Sequence, residues 1–205
     1  MPKIKLTKGE LKRQRDALAQ YQRYLPTLQL KKQQLQVEIL QQAGAAARKK
    51  EEEHKKLTAI EVWAGLLAEE EINLRPLILP RQIISAVKNI AGLDIPVFQG
   101  ADFAPAEYDL FLTPLWVDAG LKFLREVAGL RAEIRILEQG IAALRRELRV
   151  TAQRVNLFEK VKIPEAEENI RLIKIYIGDQ MANAVGRSKI AKRKIEELVE
   201  VSLAA

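Results

Sequence analysis

Apolar residues in the second half of the chain recur every seven residues, in alternating steps of four and three. This C-terminal seam comprises Phe123, Val127, Leu130, Ile134, Leu137, Ile141, Leu144, Leu148, Thr151, Val155 and Phe158. A second series with the same steps, interrupted by polar residues, forms an N-terminal seam of Leu11, Leu18, Tyr21, Leu25, Leu28, Leu35 and Ile39. Such spacing is typical of a helix packed along its length against another helix. The two seams therefore predict an all-α-dominated fold, built on a long antiparallel two-helix coiled coil within one chain.

The first helix is expected to begin at Thr7, whose hydroxyl can cap it while Glu10, three residues later, completes a capping box. We expect this helix to continue to about Glu70. Pro26 should bend it without ending it, because an interior proline removes one backbone hydrogen bond. Segment 1–73 is thus predicted to be the N-terminal coiled-coil helix.

Residues 74–113 follow a different pattern, with β-favouring side chains on both sides of a turn at 91–94. The pattern predicts a small β-hairpin over Ile83–Phe98, with Pro80 and Pro96 at its margins. A segment of this length cannot form a large core by itself. We therefore expect this central hairpin insert to pack against the helices.

The last segment, 114–205, is predicted to be the C-terminal coiled-coil helix of what would be one elongated domain. It should begin near Pro114, since proline suits the first turn of a helix. Pro164 should bend it, and fraying is expected after about Glu197. Beyond the bend, three isoleucines resume the seam at Ile170, Ile173 and Ile177.

The net charge of +7 is unevenly distributed along the chain. One basic cluster lies near the N-terminus and another near the C-terminus: Lys3, Lys5, Lys8, Lys12, Arg13 and Arg15, then Arg187, Lys189, Lys192, Arg193 and Lys194. In an antiparallel coiled coil both clusters should meet at one tip, opposite a more acidic central insert. Since the two ends of the coiled coil would differ in charge, they would contact different partners. An equal alternative is that the charged residues only keep the helix surfaces solvated.

The sequence lacks the familiar motifs of catalytic, nucleotide-binding and metal sites. The chain has no cysteine, no phosphate-binding loop, no nucleophile elbow and a single histidine, His54, within a run of charged residues. Neither a signal peptide nor an apolar run of about 20 residues is present. We therefore predict an intracellular protein that does not insert into a membrane and has no catalytic residue, cofactor or metal site.

Trp63 and Trp116 flank the central insert. An antiparallel helix pair would bring them together. Packing within the chain is the simpler interpretation of both side chains, and an anchor for a partner is the alternative, since tryptophan is enriched at interface hot spots.

One stretch resembles a known family. The residues from Thr151 to Glu159, followed by Pro164, resemble a T-x-R-R-V-N-A-L-E sequence and following proline in the D-subunit family of V-type and A-type rotary ATPases. The matching positions are Thr151, Arg154, Val155, Asn156, Glu159 and Pro164. Gln153 replaces the first arginine of the pair, and residues 157–158 replace Ala-Leu. Residues 92–96, Gly-Leu-Asp-Ile-Pro, are similar to the hairpin of that family.

The resemblance implies a non-catalytic central-stalk subunit that transmits torque between ATP hydrolysis or synthesis and ion translocation. The implied partners are a catalytic hexamer of A and B subunits, the F subunit, and a socket subunit on the membrane rotor. The complex would lie on the cytoplasmic face of a membrane. Six basic residues would then enter the hexamer: Lys3, Lys5, Lys8, Lys189, Lys192 and Arg193. The hairpin would lie at the other end, towards the F subunit and the socket.

Arg154, Asn156 and Glu159 are the residues of the matched stretch that we expect to contact partner subunits. Hydrogen bonding between the two helices of the chain is the alternative for them. For the protein as a whole, a basic coiled coil that binds nucleic acid is the alternative from another class, since clustered lysines can contact phosphates. A structural tether is a third possibility.

Overall fold

The structure, a computed structural model, describes residues 4–61, 63–65, 74–106 and 113–203, without the side chains of 198–203. Its elements are helix α1 (Lys8–Glu61), helix α2 (Arg75–Ile78), strand β1 (Pro80–Ile90), strand β2 (Leu93–Phe103), helix α3 (Trp116–Leu157), a π-helical turn (Phe158–Lys162) and helix α4 (Ile163–Leu203). The predicted fold class, helical with a small antiparallel hairpin, is confirmed. The first helix was predicted to continue to about Glu70, but α1 ends at Glu61 and residues 63–65 form a tighter turn, with the Trp63 N–H bonded to the Ile60 carbonyl at 2.9 Å. Glu70 itself lies outside the described residues.

Helix α1 begins where the sequence predicted. The backbone N–H of Glu10 donates to the Thr7 hydroxyl at 3.3 Å, which is the bond of an N-cap. The second bond of a capping box is not formed, because the Thr7 N–H donates to the Lys5 carbonyl at 2.9 Å. The Glu10 carboxylate instead accepts a hydrogen bond from the Gln14 side chain at 3.0 Å.

Pro26 lies inside α1, which continues through it as predicted. The proline lacks an N–H and leaves one carbonyl of the preceding turn without its helical partner. Next to it, the Thr27 hydroxyl donates to the Tyr24 carbonyl at 2.7 Å. The remaining hydrogen bonds of this 54-residue helix keep it intact.

The chain divides into two compact units: a terminal unit of residues 1–29 and 153–205, and a central unit of residues 30–152. Helix α1 contributes to both. The three predicted segments, 1–73, 74–113 and 114–205, were defined by their order along the chain, whereas these two units are defined by contacts. The division into three segments therefore stays a prediction.

In the central unit, α1 runs antiparallel to α3. Lys31 Nζ lies 2.6 Å from Glu147 Oε1, and further along α1 Lys56 Nζ lies 2.6 Å from Glu126 Oε2. Rising numbers on α1 therefore meet falling numbers on α3, as the two seams predicted.

The core of the central unit joins both helices to the hairpin. Leu35 of α1 and Leu144 of α3, one from each seam, have no exposed surface, and they enclose Ile95 of β2, which is 1% exposed. Gly140 makes room for this contact, since a Cβ at that position would lie 3.4 Å from Ile95 Cγ2 and 3.0 Å from Gln42 Oε1. The expected packing of the insert against the helices is thus achieved through one buried isoleucine.

The hairpin strands are longer than predicted and pair from Pro80↔Phe103 to Ile90↔Leu93. The register is irregular between Ile84 and Ser85. Ala91 and Gly92 form the two-residue turn with φ of +52° and +80°, values that suit a two-residue hairpin loop and that only glycine adopts without strain.

In the terminal unit, α1 packs against the residues that follow α3. Tyr21 stacks on Phe158 with ring centroids 5.4 Å apart, and Asn169 Nδ2 lies 3.5 Å from Gln14 Oε1. Ile173 is fully buried. The predicted return of the seam at Ile173 is therefore confirmed.

The π-helical turn changes which residues after Phe158 lie on the buried face of the helix. Steps of four and three continued beyond Phe158 would bury Leu172 and Tyr176, yet these are 43% and 40% exposed while Ile173 is buried. The Ile163 N–H bonds to the carbonyl of Phe158, five residues back, so this turn holds about one extra residue. It lies just before Pro164, where a wider turn also eases the crowding that proline causes. The departure from a regular α-helix near Pro164 is this π-helical turn, and the predicted bend stays a prediction.

Candidate functional site

Among the residues that the structure describes, no group of three or more His, Cys, Asp or Glu side chains lies close enough to hold a metal ion. His54 is exposed on α1. Within the same residues, no helix combines the length and apolar character needed to cross a bilayer.

The matched stretch at the end of α3 presents polar side chains to solvent. Arg154, Asn156 and Glu159 are all exposed, whereas Val155 between them is 4% exposed and packs inward. None of the three polar side chains bonds to another residue in the described part of the chain, so the structure does not support their alternative role in helix-to-helix bonding. Their contact with a partner stays a prediction.

The C-terminal basic residues lie on an exposed part of α4. Every side chain described from Gly178 to Glu197 is exposed. Lys192 and Arg193 each approach a glutamate one turn later, Glu196 at 3.6 Å and Glu197 at 3.5 Å. Such pairs stabilise a helix by only a few tenths of a kcal/mol, about 0.3–0.5, so these cations stay available to a partner.

The two basic clusters do not meet at one tip. Gln14 and Asn169 lie side by side. At 1.5 Å per residue, Lys192 is about 35 Å further along α4, whereas Lys8 is only about 9 Å from Gln14 in the same direction. The prediction of a shared tip is therefore wrong for Lys8 and Lys192, because α4 continues well past the first turn of α1; Lys3 lies outside the described residues.

Trp63 and Trp116 come together as predicted. A Cβ at Gly120 would lie 3.2 Å from Trp116 and 3.5 Å from Trp63, and the Trp63 ring packs edge-on against Phe123 at 5.8 Å. These contacts support packing within the chain. Trp116 Nε1 is buried and finds no hydrogen-bond partner among the described residues.

Arg125 of α3 holds the base of the hairpin, a role that sequence reasoning missed. Its guanidinium donates to the carbonyl of Leu77 at 3.0 Å and to the carbonyl of Ala104, so it joins the residues before β1 to those after β2. It also lies 5.5 Å from the centre of the Phe103 ring. No sequence signal distinguishes Arg125 from the other charged residues of α3, because its partners are backbone carbonyls.

Ion pairs across the helices shift the pKa of several side chains. The hydrogen bond from Lys56 holds the pKa of Glu126 below its usual 4.5. The hydrogen bond to Glu133 raises the pKa of Lys49 above 10.5. Both effects favour the charged forms at neutral pH.

The Lys56–Glu126 pair should make stability depend on acid. Since the pKa of Glu126 is lower in the folded than in the unfolded chain, its contribution is present above about pH 4.5 and is lost as the pH falls through the folded pKa. For an exposed pair we expect at most about 1 kcal/mol. Urea denaturation at about pH 7 and about pH 3 should show that Glu126→Gln is destabilising only at the higher pH. An equal loss at both pH values would contradict this role.

Comparison with known proteins gives a consistent result over nearly the whole chain. Residues 10–193 match the family of the ATP synthase D subunit. The D subunit of the V-type ATP synthase of Borreliella burgdorferi is 45% identical over 195 residues, which cover 95% of this chain and 96% of that protein. The protein of the same name from Chlamydia pneumoniae is 32% identical, covering 94% of this chain and 93% of its own length.

Proposed function

Because the chain belongs to the family of the ATP synthase D subunit and is a central-stalk component of a rotary ATPase, we propose that its paired helices carry the torque of that complex. The chain is a component of the complex and not its catalytic subunit. This membership replaces the alternatives of a nucleic-acid-binding protein or a tether. The proposal for the helices rests on one observation, the antiparallel packing of α1 with α3 and α4 inside each unit.

Resistance to twisting follows from that packing. Side chains of the paired helices are fully buried at positions such as Leu35, Leu144 and Ile173. Full burial of such a side chain contributes roughly 1.5–3 kcal/mol, so one helix cannot turn past the other without losing several such contributions. Ion pairs such as Lys31–Glu147 also oppose sliding along the axis.

For the partners, we propose that the exposed basic end of α4 lies inside a hexamer of A and B subunits. Lys189, Lys192 and Arg193 would bias its interfaces electrostatically. Arg154, Asn156 and Glu159 would contact the surrounding subunits. The hairpin would lie towards the F subunit and the socket of the membrane rotor, on the cytoplasmic face, and the chain would take no part in catalysis.

Cross-linking the two helices tests whether they turn as one body. Gln14→Cys with Asn169→Cys places one thiol on each of two helices that face each other, in a chain that has no other cysteine. We expect the oxidised complex to keep its ATP-driven rotation, measured with a bead on the rotor, because a covalent bond inside a rigid shaft does not hinder its rotation. Each single-cysteine variant is the control.

The opposite result would be informative. If oxidation stopped rotation and reduction restored it, the helices would have to move against each other and the rigid-shaft proposal would fail. As a positive control, a photoreactive residue at position 192 should join the chain to a static subunit on illumination and stop ATP hydrolysis.

A further inference from the structure

A groove of about 620 Å³ lies between α1 and α3 in the central unit. Its floor is made of small residues: Ala43, Ala46 and Ala47 of α1 and Ala142 of α3, next to the buried Ile141. On α1 these alanines are spaced three and four residues apart and so share one face. Side chains this short let the backbone of another element approach closely.

Three arginines of α3 line one side of the groove. Arg145, Arg146 and Arg149 are exposed, and none contacts a carboxylate among the residues described. The one acidic residue of the lining, Glu138, is already paired with Lys50 at 2.6 Å. The groove therefore carries about three uncompensated positive charges above an apolar floor.

This imbalance contrasts with four cations elsewhere in the central unit, each of which pairs with a carboxylate of the facing helix. The matched pairs are Lys31–Glu147, Lys49–Glu133, Lys56–Glu126 and Arg131–Glu53. Arginines that lie side by side without a carboxylate repel one another, which costs free energy. The guanidinium group is also suited to bidentate hydrogen bonding with a carboxylate. Arginine is also enriched at interface hot spots.

We propose that this arginine groove binds an acidic amphipathic helix of a partner subunit. The apolar face of such a helix would contact the alanines, and carboxylates one turn apart would reach Arg145 and Arg149, which are themselves one turn apart. A nucleic acid would satisfy the charges but would leave the apolar floor uncovered. The inference rests on the proposed function, since the partner is another subunit of the rotary complex.

Photo-cross-linking in the intact complex tests the groove. Benzoylphenylalanine replaces Ala142, an exposed residue of the lining, in the full chain of the purified complex. After illumination, mass spectrometry should identify one captured segment of another subunit, with Asp or Glu at helical spacing. Arg145→Gln with Arg149→Gln should lower the yield about tenfold, as expected for the loss of charged hydrogen bonds.

The matched control removes two other exposed arginines from the same helices, Arg48→Gln with Arg135→Gln, and should leave the yield unchanged. An intact complex with no cross-link at 142, capture of a segment without acidic residues, capture of nucleic acid, or equal loss in the control would each overturn the inference. Absence of the chain from any rotary complex would instead overturn the proposed function.

Discussion

Replacing Leu144 with alanine is expected to lower the free energy of unfolding by about 2–5 kcal/mol. Leu144 has no exposed surface and packs against Leu35 and Ile95, the only fully enclosed contact among the described residues that joins both helices and the hairpin. The truncation removes apolar contacts and leaves a cavity that three separate elements cannot close together. Urea denaturation followed by far-ultraviolet circular dichroism, which reports helix content, measures the loss.

A matched control is available on α1. Leu40 is 73% exposed, so Leu40→Ala makes the same chemical change outside the core and should alter stability by less than about 0.5 kcal/mol. Equal effects of the two substitutions would mean that Leu144 is not in the core of the central unit.

Neutralising the basic end should have the largest effect on function. With Lys189→Gln, Lys192→Gln and Arg193→Gln together, we expect coupled ATP turnover of the complex to fall about tenfold, which corresponds to roughly 1.4 kcal/mol. Exposed charge pairs contribute up to about 1 kcal/mol each, so three of them can account for a change of this size. The melting temperature of the isolated chain should hardly change, because these side chains are exposed in the terminal unit.

The charge-retaining variant separates charge from shape. Lys189→Arg, Lys192→Arg and Arg193→Lys keep the three positive charges and should keep most of the turnover. If the neutral variant turned over normally, or if both variants failed equally, the electrostatic role of the basic end would be wrong.

Regular patterns in the sequence predicted the main elements. The seams located the facing positions, so Leu35 and Leu144 were expected to pack between helices, and β-favouring residues around the turn at 91–94 located the hairpin. These features were predictable because they depend on local periodicity and turn chemistry. The proximity of Trp63 and Trp116 was predictable too, because an antiparallel helix pair brings the two ends of the insert together.

Features that depend on tertiary geometry were not predictable. Charge position along the chain suggested a shared basic tip, but the offset between Lys8 and Lys192 depends on the register of α1 against α4, which composition does not contain. Arg125 binds carbonyl groups and therefore leaves no pattern. The arginine groove needed both helices in place, since its alanine floor and its arginines come from different parts of the chain.

The π-helical turn at Phe158–Lys162 also determines which way the later side chains of the helix point around its axis. One added residue advances a helix by about 100° around its axis, so everything beyond it is rotated by that amount relative to an uninterrupted heptad repeat. The azimuth of Lys189, Lys192 and Arg193 is thus determined roughly thirty residues earlier, at about 45 Å along the helix. A single deletion there would leave these charges chemically unchanged but aimed at a different neighbour.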